Sequence, residues 1–200
     1  MLQVVLPILL ALAAPNASPR TADCVAPADN RMPANDENEV ACFPSPDGHK
    51  QAIVRKGLIA VRIGDKSWNV GTTDNGRLYW NPASTGFAIA DSGGSGETSY
   101  FSYVDLSQRP PRRNKALRQS AVRSWALHFH CNSPKSYAHA WFVGWEKDGH
   151  VRLRVVEGVH SEGCMFLDPE EISIGVVGDP VTGRIDRVLT QAELGAAKSP

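Results

Sequence analysis

The 200-residue sequence predicts a mainly β, α+β fold: a compact antiparallel sheet built from hairpins, with one helix over about residues 112–128. Two observations carry that reading. Short runs rich in β-branched and aromatic residues recur between pairs of turn residues, the pattern of strands in an antiparallel sheet. A single stretch, PRRNKALRQSAVRSWALHFHC from Pro111, breaks the pattern and spaces Leu117, Ala121, Trp125 and Phe129 every four residues, as on one helix face.

The chain opens on MLQVVLPILLALAA, residues 1–14, a largely apolar stretch interrupted by Pro7. A membrane-spanning helix needs about 20 apolar residues, so this stretch reads instead as the core of an export signal, with Ala11-Leu12-Ala13 as the small-residue cleavage pattern. No second long apolar run follows, and the mature chain is expected in the periplasm or outside the cell without a transmembrane segment. Residues 15–41 are rich in Pro, Asn, Asp and Ala and poor in large apolar side chains, which predicts an extended or mobile arm. Residues 42–200 are expected to form a single β-rich domain.

Strand candidates follow in order: QAIVRK from Gln51 and LIAVRIG from Leu58, then GFAIAD from Gly86 and TSYFSYVDL from Thr98. Beyond the helix come AHAWFVGWE from Ala138, HVRLRVVEG from His150, ISIGVVGD from Ile172 and RIDRVL from Arg184. Before and between them stand Pro46-Asp47-Gly48, Asp74-Asn75-Gly76, Asp148-Gly149 and Thr182-Gly183, segments suited to tight turns. In AHAWFVGWE, Trp141 and Trp145 share strand parity, so the buried face is expected to take both rings. At the end of the helical stretch, Trp125, Leu127, Phe129 and Cys131 also alternate as in a strand, which leaves the segment beyond Ala126 open between the two.

Four cysteines, Cys24, Cys42, Cys131 and Cys164, show no C-x-x-C spacing and allow three disulfide connectivities. Proximity in sequence favours Cys24 with Cys42 and Cys131 with Cys164. With 21 basic and 21 acidic side chains the net charge is zero, which gives no global field to recruit nucleic acid.

SPDGHKQAIVRKGLIAVRIGD from Ser45 resembles the SPDG-containing repeat of TolB-type and WD40-like β-propellers, in which a tight Asp-Gly turn joins paired blade strands. WNPASTGFAIADSGGSGETSYFSYVDL from Trp80 and GWEKDGHVRLRVV from Gly144 look like two further units, and GDPVTGRIDRV from Gly178 is similar to a blade's closing hairpin. The resemblance implies propeller-blade-like hairpins and a scaffold for binding rather than a particular reaction. Propellers close with typically four or more blades, so three units predict that this one is not closed.

The chemistry-bearing residues sort into three groups. Asp91-Ser92-Gly93-Gly94 resembles the segment around the nucleophile of chymotrypsin-like proteases, yet no base accompanies Ser92; GGSGETS from Gly93 lacks the lysine of a phosphate loop. No catalytic residue and no cofactor is therefore assigned. His128, His130 and His139 would place three imidazoles on one face of two paired strands and could ligate a metal; this supports the alternative of a small metal-dependent or hydrolytic enzyme. Arg109, Arg112, Arg113, Lys115, Arg118 and Arg123 form the one dense basic cluster. Within it Arg112, Arg113, Lys115 and Arg118 are the candidate anion-binding residues, for an envelope component or a partner protein. The preferred reading is a non-catalytic binding or interaction domain of the cell envelope.

Overall fold

The computed structural model describes residues 24, 26–34, 38–92, 99–131, 138–157, 164 and 173–196. Among the described residues it is mainly β with one substantial helix and no closed barrel or propeller. The strands are β1 (Arg31–Met32), β2 (Val40–Pro44), β3 (Lys50–Arg55), β4 (Leu58–Ile63), β5 (Lys66–Thr72), β6 (Gly76–Trp80), β7 (Gly86–Ser92), β8 (Ser99–Asp105) and β9 (Arg112–Asn114). Helix α1 (Ala116–His128) leads to β10 (Ala138–Trp145), β11 (Val151–Glu157), β12 (Ser173–Gly178) and β13 (Ile185–Leu189), and a short α2 (Gln191–Ala196) follows.

Among the described residues these strands form two sheets. The smaller is the antiparallel meander β2-β3-β4-β5. The larger runs β1-β6-β7-β8-β10-β11-β12-β13, with β9 beside β8. The far edge of β8 is shared: Tyr103 to Asp105 pair with β9, while Tyr100 meets Ala140 of β10 in parallel. Tight turns hold the meanders together. Lys56 and Gly57 between β3 and β4 both adopt positive φ, 47° and 70°, as the favoured two-residue hairpin turn requires.

Strand alternation divides the larger sheet between two cores. Phe87, Ile89 and Val104 face the small sheet and pack with Val54, Ile59 and Val61. Ala88, Phe101 and Tyr103 point the other way, toward the Leu117, Ala121 and Trp125 stripe of α1. Ala140, Leu153, Val155 and Val176 complete that second core. The end of the N-terminal arm takes part: Met32 of β1, paired with Gly76, is wholly buried in the first core.

The helix starts at Ala116 rather than near 112, because Arg112–Asn114 pair with β8 of the larger sheet as strand β9. The Asn114 carboxamide then accepts the Ala116 N–H at 2.6 Å and opens the helix. Its end is also defined. His130 adopts a left-handed φ of 48°, with His130 N–H donating to Leu127 C=O and Cys131 N–H donating to Ala126 C=O. This is a Schellman closure, which settles the segment beyond Ala126 as helix and cap rather than strand.

The shared burial expected for Trp141 and Trp145 is overturned. The β10–β11 register slips between Phe142 and Gly144, a one-residue bulge that reverses side-chain parity. Trp145 therefore joins Phe142 and Tyr103 in the second core, while Trp141 is 39% exposed. The four cysteines stand as the Cys24–Cys42 and Cys131–Cys164 disulfides. The first ties residue 24 to β2, and the second anchors residue 164 at the C-terminal cap of α1.

Candidate anion-binding site

The basic cluster divides at the junction of β9 and α1. Arg113 lies on β9, opposite Val104, and its side chain is 18% exposed. Its guanidinium spans three strands: Nε donates to Ser102 Oγ at 2.7 Å, Nη1 donates to the Thr72 carbonyl at 2.6 Å, and Nη2 lies 3.6 Å from Asp91 Oδ2. A planar fork of donors suits this spread of acceptors. Asp91, at the end of β7, also accepts the Thr73 hydroxyl at 2.8 Å. The result is a polar lock between the end of the small sheet and the β7–β8 pair. Close packing at β5 fits the same lock: a side chain at Gly71, whose φ is 134°, would crowd Arg113.

Above the lock, the first turn of α1 adds two more cations. Lys115 precedes the helix and is exposed; Arg118 lies over the Tyr100 ring, 5.2 Å from its centroid. Leu117, Ala121 and Trp125 are buried on the sheet, which fixes the helix rotation and so directs Arg118 to the side. Arg113, Lys115 and Arg118 line one cavity of about 360 Å³, together with Asp91, Tyr100 and Ser102. Asp91 is the one carboxylate among the described lining residues, and it is engaged by Arg113. Among the described residues no carboxylate pairs with Lys115 or Arg118. Burial lowers the pKa of Arg113, Asp91 raises it again, and the neighbouring charge of Arg118 lowers it. The Arg113 and Arg118 charges thus repel one another, a condition that an anion relieves.

The other basic residues sit elsewhere. Arg112 is exposed, paired in register with Asp105, and does not line the cavity. Arg109 lies over Trp68, 5.4 Å from the ring centroid, and donates to the Leu106 carbonyl. Arg123 is on the exposed side of α1. Tyr100, Ser102 and Asp91 were not foreseen as site residues. The apolar alternation of TSYFSYVDL marked a strand but gave no sign that its Tyr100 and Ser102 would meet the basic cluster.

The histidine constellation is corrected. His128 is the exposed last residue of α1, its ring edge-on to Phe129 at 4.8 Å, and His130 occupies the left-handed cap position. On a helix end the two do not share a face as they would on a strand. His139 stands on β10, half-buried, where burial lowers its pKa. Among the described residues no group of three His, Cys, Asp or Glu side chains is placed to hold a metal. Ser92 ends β7, but its side chain and Gly93 to Glu97 lie outside the described residues.

Of the other tryptophans, Trp80 donates its indole N–H to the Phe43 carbonyl at 3.0 Å, joining the sheets, and Trp125 is wholly buried.

No protein-family model matches the chain, and no curated protein matches it. Among solved structures it is similar to one assigned as a TolB from Agrobacterium tumefaciens, at 16% identity and a TM-score of 0.36, over 76% of this chain. The chain spans 45% of that structure's length, a likeness in fold too weak to carry function.

Proposed function

We propose that this chain is an exported β-rich domain that binds rather than catalyses, and that the Arg113–Lys115–Arg118 cavity receives an anionic group of an envelope component or partner protein. The observation that supports it is the charge of the cavity. Its single described carboxylate is engaged by Arg113, and two further cations remain. A concave site with low-dielectric walls focuses such charge, where the same residues spread over a surface would be screened. Two disulfides suit an oxidising compartment, and with it the leader and the periplasmic or extracellular address. Residues 42–200 would act as one unit, bearing the site where its two sheets meet.

Co-flotation of the protein with vesicles carrying anionic glycolipid, across a salt series, tests this reading. Binding should be strong at low ionic strength and fall steeply as the screening length drops from about 10 Å at 0.1 M salt to about 3 Å at 1 M. Absent or salt-insensitive binding would overturn it.

A further inference from the structure

The cavity is not uniformly cationic, and its mixed lining narrows the ligand. A purely anionic occupant would gain from Lys115 and Arg118 but would meet the Asp91 carboxylate on the same wall. That carboxylate is not saturated. Among the described residues it accepts one hydrogen bond, from the Thr73 hydroxyl, and has one longer contact to Arg113, whereas an ionised carboxylate offers about four lone-pair positions. Beside it Ser102, 1% exposed, takes the Arg113 Nε–H on its oxygen and so helps fix that guanidinium in the wall. Tyr100, 43% exposed, gives an aromatic flank.

Resting on the anion-binding reading, we propose that the occupant is a sugar acid: a ring that carries an anionic group together with free hydroxyls. The anionic group meets Lys115 and Arg118. Ring hydroxyls donate to Asp91, and the apolar C–H face of the ring lies against Tyr100. Lys115, Arg118, Tyr100 and Asp91 then each meet a complementary part of one ligand, and a sugar acid brings several hydroxyl donors to Asp91 beside its anionic group. The size agrees. About 360 Å³ is near the lower end of the roughly 300–1,000 Å³ of small-molecule sites, room for a ligand of one or two rings.

The test is calorimetric titration of the full chain with tri-galacturonate, tri-glutamate and neutral malto-triose at one ionic strength. Tri-galacturonate should bind about tenfold more tightly than tri-glutamate, the effect of one or two added hydrogen bonds, and malto-triose should not bind detectably. Asp91→Asn should lower the ratio of tri-galacturonate to tri-glutamate affinity about fivefold. The wild-type comparison stands even if that variant fails to fold. Equal binding of the two acids would overturn the sugar assignment and leave the anion-binding reading intact. Binding of neither acid would overturn the anion-binding reading itself. Malto-triose binding as tightly as tri-galacturonate would overturn both.

Discussion

Truncating Trp125 and Leu127 separately distinguishes the helix from the strand that the same residues could have formed. Trp125 is 0% exposed in the second core, tilted against Phe129 at 5.3 Å between ring centroids, while Leu127, two residues on, is 71% exposed. A buried aromatic removes roughly 150–250 Å² from water, about 4–6 kcal/mol at about 25 cal/mol per Å². Part of that surface stays buried under alanine, and large-to-small aromatic truncations cost about 3–5 kcal/mol. Trp125→Ala should therefore lower stability by about 4 kcal/mol, a shift of about 2 M in the urea midpoint for a slope near 2 kcal/mol per M. Leu127→Ala should stay within about 0.5 kcal/mol of wild type, as exposed substitutions do. Urea unfolding followed by far-ultraviolet circular dichroism reads both. In a strand, Trp125 and Leu127 would share a face and both truncations would be costly. A loss above about 2 kcal/mol for Leu127→Ala, or below about 1 kcal/mol for Trp125→Ala, would refute the helix and the orientation it gives Arg118.

Two further predictions rest on other parts of the fold. A methyl group at Gly86 would collide with Tyr103 Oη and the Val104 carbonyl, so Gly86→Ala should destabilise by about 1–3 kcal/mol, the range of overpacked sites, in thermal or urea unfolding. Asp47 accepts from Lys50 Nζ at 2.6 Å, from the Ser45 hydroxyl and from the His49 N–H, and these hold its carboxyl well below the usual range, the lysine contributing most. Its contribution to stability is present above the unfolded pKa of about 4 and is lost as pH falls toward the lower folded value. The stability gap between wild type and Asp47→Asn should accordingly be open near neutrality and close on acidification, and it should shrink in salt because the pair is solvent-facing.

Much of the fold was legible because burial and strand period coincide. GFAIAD and TSYFSYVDL are sandwiched between the small sheet and α1, so their alternation is strong, and the Leu117–Ala121–Trp125 stripe marks the one face that α1 buries. The strands β5 and β9 were not legible. KSWNVGT is largely exposed along an edge, and Arg112–Asn114 is a polar run whose strand character comes from pairing with β8 alone. Trp141 was misplaced because a bulge is a property of two strands in register and leaves no mark in one. The site was half legible for a related reason. Arg113, Lys115 and Arg118 advertise themselves as local charge, but the acceptors that turn Arg113 inward come from Thr72, Asp91 and Ser102, brought together only by the long-range packing of the sheets. The histidines failed in the opposite direction, because local proximity implied a cluster that the Schellman closure at His130 takes apart.

The central claim, that the cavity rather than the general basic surface binds anions, is tested most directly by comparing two charge-removing pairs. Lys115→Gln with Arg118→Gln removes the cavity cations; Arg112→Gln with Arg123→Gln removes as much charge from exposed positions outside it. Salt-dependent binding to anionic glycolipid vesicles is the readout. The account predicts that the cavity pair abolishes binding at about 0.1 M salt, where the screening length is about 10 Å, and that the outside pair leaves it nearly unchanged. Equal losses for the two pairs would contradict it.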